Sequence, residues 1–186
     1  MNQKVYDRRR QGHDVIVLSL GEAFFDLPLF DFNELEIDKG YHYSDTQGLP
    51  RLREKIAEHY KKHYGASIDP NRQVLITAGS KIAIYMAMLA TLEPGNEVLV
   101  QEPYWVSYPE QARLCGATTK VIPYWEAAAK FGAYFGTKTR MLILNNPNNP
   151  SGRAYSGEDL QIARDLCRHA GAYLLVDEAY SDFCLG

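Results

Sequence analysis

Residues 140–177 read RMLILNNPNNPSGRAYSGEDLQIARDLCRHAGAYLLVD, and this stretch decides the fold. It opens on a continuous apolar run, 140–144, short enough for a strand buried on both faces. Residues 145–152 are dominated by turn formers and make a loop. The pattern over 157–168 predicts a helix. A second apolar run, 173–177, ends on a carboxylate, Asp177. Strand, helix and strand, with the strands apolar on either side, is the signature of a parallel sheet covered by helices.

Working outward, 97–101 (EVLVQ) and 119–122 (TKVI) read as further strands, as does 73–77 (QVLIT). Helices are predicted at 52–64, 80–90 and 106–114. The helix at 80–90 is apolar nearly all round, which predicts burial between layers, and Ser80 is placed as its cap. The fold class is therefore α/β, a three-layer sandwich with a mostly parallel sheet. In such folds ligands bind beyond the carboxyl ends of the strands. Those ends carry Gly79-Ser80, Glu102-Pro103-Tyr104-Trp105, the Asn-rich loop 145–152 and Asp177-Glu178-Ala179-Tyr180, so four loops converge on one rim.

The chain of 186 residues is 46% hydrophobic and 23% charged, the composition of an ordinary globular protein with room for one core. A formal net charge of −3 leaves no basic footprint, so neither nucleic acid nor an anionic membrane is expected as partner. The run Arg8-Arg9-Arg10 reads as the solvated face of an N-terminal helix. Three scattered cysteines without a CxxC pair predict no metal site and no disulfide framework, and point to the cytoplasm. No window approaches 18 uninterrupted apolar residues, so no membrane span is signalled.

Each rim loop has a plain reading beside a functional one. Gly79-Ser80 is either a tight turn or a place where free amides at a helix start meet a phosphate. Trp105 is either core or a flat platform for an aromatic ring. Asp177 is more telling: a carboxylate at the end of an apolar strand is desolvated, and it asks for a positive partner or donors.

The order of these loops resembles the fold-type I pyridoxal-phosphate enzymes, specifically the class I/II aminotransferases. The resemblance runs from Ser19 to Tyr180, through Ser19-Leu20-Gly21-Glu22, Tyr43 to Gly48, Thr77-Ala78-Gly79-Ser80-Lys81, Glu102-Pro103-Tyr104-Trp105, Asn148-Asn149-Pro150-Ser151-Gly152 and Asp177-Glu178-Ala179-Tyr180. It implies pyridoxal 5'-phosphate as cofactor. Gly79, Ser80 and Lys81 then hold its phosphate, Trp105 stacks on its ring, Asn149 and Tyr180 bond its phenolic oxygen, and Asp177 pairs with the ring nitrogen. Gly21 is implied at the substrate carboxylate, and Tyr43 at the phosphate of a neighbouring subunit, which implies a homodimer. Glu102-Pro103 and Asn149-Pro150 resemble the family's cis bonds.

The implied activity is amino-group transfer between an amino acid and a 2-oxo acid. The alternatives are another pyridoxal-phosphate activity on the same scaffold, such as a β-lyase, decarboxylase or synthase, or a non-catalytic cofactor-binding or dimerisation module. The apolar Ala23-Phe24-Phe25 suggests a substrate side chain that is not strongly acidic. Residues 1–40 are expected to form an N-terminal segment of arm and substrate-side strand, and 41–186 a partial cofactor-binding large domain. None of the nine lysines matches the family's Schiff-base position, which falls after the Asp177 strand, so no catalytic residue is assigned. The stretch 124–138 is shorter than the family's usual connection.

Overall fold

The computed structural model describes residues 2–16, 31 and 42–183. Gly21 and Ala23-Phe24-Phe25 lie outside them. Residues 1–43 and 44–186 form two compact units. In the first, helix α1 (Asn2–Arg10) carries Arg8, Arg9 and Arg10 in its exposed last turn, where cations suit the negative end of the helix dipole.

The second unit contains helix α2 (Pro50–Tyr64), α3 (Ser80–Thr91), strand β1 (Glu97–Gln101), α4 (Ser107–Leu114), β2 (Thr118–Ile122), a 3₁₀ segment (Ala128–Tyr134), β3 (Thr139–Asn145), α5 (Gly157–Ala170) and β4 (Tyr173–Asp177). The four strands form one sheet in the order β2-β1-β3-β4, every neighbouring pair parallel. Alternation along the strands builds two cores. Val98, Val100, Met141 and Ile143 face Ile84, Met88, Tyr108 and Ala112 from α3 and α4. Leu99, Leu142 and Leu144 face Phe131 from the 3₁₀ segment and Ala163 and Cys167 from α5. The architecture is thus helix, sheet, helix, as the apolar runs predict. The connection 124–138 holds the 3₁₀ segment, with Phe131 fully buried.

Local signals explain the helix limits. Ser156 and Asp159 close a reciprocal capping box at the start of α5, and Gly171, at φ 63°, ends it. Pro50 opens α2, and Gly65 closes it.

Three expectations are corrected. Residues 73–77 belong to no strand of the sheet. Their backbone groups are taken by a neighbouring loop: the Ile76 amide donates to the Gln47 carbonyl at 3.0 Å, and Gln47 Nε2 donates to the Val74 carbonyl at 2.6 Å. Ser80 does not cap α3; it is the first helical residue, and Gly79 holds the cap position at φ 88°, ψ 165°, a conformation open essentially to glycine alone. Helix α3 is not buried all round either. Ile84 and Met88 pack on the sheet, whereas Leu89 is 53% exposed with Ile82 and Met86 beside it. Among the described residues, no helix is long and apolar enough to cross a membrane, and no group of three or more His, Cys, Asp or Glu could hold a metal.

Candidate functional site

The chain order along the sheet reverses between β1 and β3, since β2 lies to one side of β1 and β4 beyond β3 on the other. Loops leaving two such strands run in opposite directions and open a crevice at their carboxyl ends. A cavity of about 120 Å³ lies there, lined by Ser80, Trp105, Asn145, Asn149, Asp177, Ala179 and Tyr180.

Asp177 ends β4 and is 9% exposed. Tyr108, buried on α4, donates its hydroxyl to Asp177 Oδ2 at 2.6 Å, and the Ala179 amide donates to Oδ1 at 3.2 Å. Both donors are neutral, and no ion pair reaches the carboxylate among the described residues. A carboxylate has about four lone-pair positions, so Asp177 retains capacity for a further donor from the cavity. Burial and then the bond to Asp177 push the Tyr108 phenol far above its ordinary value of 10.0, which keeps it a donor at all physiological pH.

Asn145 links the carboxylate strand to the Asn-rich loop. Its Nδ2 donates to the Asp177 carbonyl at 2.9 Å, and its Oδ1 accepts from the Asn149 amide at 2.6 Å. Asn149 Nδ2 in turn donates to Tyr180 Oη at 3.3 Å, so two side-chain donors converge on one wall. The peptide bonds Glu102-Pro103 and Asn149-Pro150 are cis, as is Asn146-Pro147.

On the other wall stands Trp105, half-buried and edge-on to Tyr108 with ring centroids 5.4 Å apart. Lys81 Nζ lies 5.3 Å from the Trp105 ring centroid. Ser80 brings the amino end of the 12-residue α3 to the cavity, and the side-chain amide of Gln111 fastens that end by donating to the Lys81 carbonyl at 2.8 Å.

Of the residues singled out from the sequence, Ser80, Trp105, Asn149, Asp177 and Tyr180 thus line one cavity. Lys81 and Gly79 adjoin it through Trp105 and Ser80 without lining it. Tyr43 is fully exposed and ends the first unit. Gly21 lies outside the described residues. Tyr108 is not singled out by the sequence, and Asn145 is read there only as the first residue of the rim loop 145–152. Tyr108 lies three residues beyond Trp105, on the predicted helix 106–114 that follows it, and nothing in the sequence links it to Asp177, 69 residues on.

The donor set suits a flat, phosphorylated heteroaromatic ligand. Carboxylate, aromatic platform, paired amide and phenol donors, and helix amino end match a protonated ring nitrogen, a ring face, a ring-bound oxygen and a phosphate respectively.

The family described as Aminotransferase class I and II matches residues 14–186. The aspartate/prephenate aminotransferase of Thermus thermophilus is 34% identical over 189 residues, covering 97% of this chain and 49% of that protein. Aromatic-amino-acid aminotransferase 2 of Thermococcus litoralis is also 34% identical, over 97% of this chain and 49% of its own length. The crystal structure of aspartate aminotransferase from Rhizobium meliloti superposes with a TM-score of 0.87 at 30% identity, over 100% of this chain and 48% of that one. The Thermus thermophilus aspartate aminotransferase with maleate superposes at 0.84, over 96% and 49%. The chain spans about half the length of the relatives it matches.

Proposed function

The chain belongs to the class I and II aminotransferases, and on that footing we propose that its rim is the pyridoxal 5'-phosphate cradle of an enzyme transferring an amino group between an amino acid and a 2-oxo acid. The observation that carries this reading is the buried Asp177 carboxylate, which faces the cavity with only neutral donors on it. When bound, the cofactor supplies an electron sink for the charge left as the substrate loses its α-proton.

The chain's own residues account for holding it. Asp177 accepts from the ring N–H and keeps the proton on that nitrogen, where an opposite charge in a desolvated site counts most. Tyr108 and the Ala179 amide fix the carboxylate's orientation, so no reorganisation is needed when the ring arrives. Trp105 covers one ring face. Asn149 and Tyr180 donate to the ring oxygen. Ser80 and the first amides of α3 take the phosphate, with Lys81 adding a positive charge close by. Among the described residues no lysine lines the cavity. We assign Tyr43 to the corresponding site of a second copy of the chain and Gly21 to the substrate carboxylate.

Titration with pyridoxal 5'-phosphate, followed by calorimetry, tests the reading. Saturable binding is expected, weakened at least about tenfold by Trp105→Leu, since stacking and its desolvation contribute over 1 kcal/mol. Absence of saturable binding refutes it.

A further inference from the structure

On the same rim, but sharing no residue with the cavity around Asp177, Glu102, Pro103, Tyr104 and Tyr124 line a second cavity of about 340 Å³. Its volume lies at the lower end of small-molecule sites. Its one charged side chain is that of Glu102, a partly buried residue whose side chain makes no hydrogen bond or ion pair among the described residues. The rest of the lining is aromatic or apolar. Tyr124 is 61% exposed, and the 67% exposed Trp125 abuts it edge-on at 5.0 Å between centroids, so a wide aromatic surface meets solvent beside the carboxylate.

The walls are preorganised. The Glu102 amide donates to the Ile122 carbonyl at 3.0 Å, and Gln101 Nε2 donates to the carbonyls of Pro123 and Glu126 at 3.2 and 2.9 Å, fixing the turn that presents Tyr124. Arg153 comes near, donating to the Tyr124 carbonyl at 3.4 Å, but its guanidinium is stacked 5.0 Å over the Tyr155 ring and forms no ion pair with Glu102.

A lone carboxylate among aromatic rings is the chemistry that recognises an organic cation, through Coulomb attraction and the negative ring faces together. We infer that this cavity binds a small alkylammonium or guanidinium compound, its charge against Glu102 and its carbon chain on Tyr104 and Tyr124. The site stands whether or not Asp177 holds a cofactor.

Ligand-detected NMR on the chain with n-butylammonium, and with n-butanol as the uncharged counterpart, tests this. The cation is expected to bind saturably and at least about fivefold more tightly than the alcohol, and Glu102→Gln is expected to erase that preference. Tyr124→Ser, at an exposed position, should also weaken the cation and keeps the test open if Glu102→Gln does not fold. Equal binding of cation and alcohol, an unchanged preference in Glu102→Gln, or no saturable binding of the cation overturns the inference. A lysine side chain within a blocked pentapeptide binding better than n-butylammonium overturns the assignment to a small molecule.

Discussion

Tyr108→Phe removes one oxygen from the interior and leaves the ring in its packing against the sheet. The hydroxyl donates to Asp177 Oδ2 at 2.6 Å, a buried bond to an ionised acceptor, for which about 2–3 kcal/mol is the appropriate scale. After the substitution only the Ala179 amide, at 3.2 Å, remains on the carboxylate. For a chain of this size each kcal/mol moves the thermal midpoint by about 2–4 °C, so a fall of about 4–12 °C at neutral pH is expected. Alkaline pH supplies a second signature. Burial first, and the Asp177 bond second, raise the Tyr108 phenol above its unfolded value of 10.0, so the folded state holds its proton longer than the unfolded one. That contribution is complete below about pH 10 and is lost as pH rises beyond it, with a slope of about 1.4 kcal/mol per pH unit for one proton. Guanidinium unfolding between pH 7 and 11 should therefore show a lower plateau and a shallower alkaline limb in Tyr108→Phe. An unchanged midpoint together with an unchanged limb would refute the bond and the argument built on it.

Tyr155 provides an independent check, because burial is the main cause pushing its phenol up to about 12. The sign is the same: stability present below about pH 10 drains between pH 10 and 12, and Tyr155→Phe should reduce that loss by about 2–3 kcal/mol in denaturant titrations, equal limbs being the contrary result. Gly48→Ala, at φ +100°, drives a Cβ into the Ile76 side chain, and a loss of about 2–4 kcal/mol in urea unfolding is expected from strain and overpacking together. A near-neutral result would mean that loop 45–48 does not lie against residues 74–76. Ser156→Ala breaks the capping box of α5 and should lower stability by about 1 kcal/mol, with Asp159→Ala adding little on top of it because the two side chains act as one unit.

How much of this could be read in the sequence follows from the range of each interaction. Residues 98–100 and 141–144 are apolar on both faces of the sheet because both faces are covered, and that pattern is visible without coordinates. Asp177 was legible for the same reason: a charge at the end of such a strand stands out. Residues 73–77 have the same apolar character yet form no ladder, because Gln47, some thirty residues earlier, takes their backbone groups. Composition carries no trace of that. The cap of α3 was misplaced by one residue because Ser80 has the cap-forming side chain, whereas Gly79 has the backbone freedom the turn demands. Tyr108 positions the cavity without any local signal, its partner lying 69 residues away, and Asn145 joins a local partner, Asn149, to a distant one, Asp177, 32 residues on; only the β2-β1-β3-β4 strand order brings the distant pairs together. Three of the four rim loops follow strands of the sheet, in line with the rule that binding loops follow parallel strands, and the roles within them rest on the family resemblance.

In the proposed cradle Asp177 is held ready for a protonated ring nitrogen, and this role carries the reading. It is tested most directly by measuring the affinity of the chain, and of Asp177→Asn, for pyridoxal 5'-phosphate and for its carbocyclic analogue with C–H in place of that nitrogen. A preference of about tenfold for the nitrogen-containing ring is expected in the unsubstituted chain, the scale of one charge-assisted hydrogen bond, and no preference in Asp177→Asn. Equal affinity of the unsubstituted chain for both ligands, or a preference that survives in Asp177→Asn, would contradict the account.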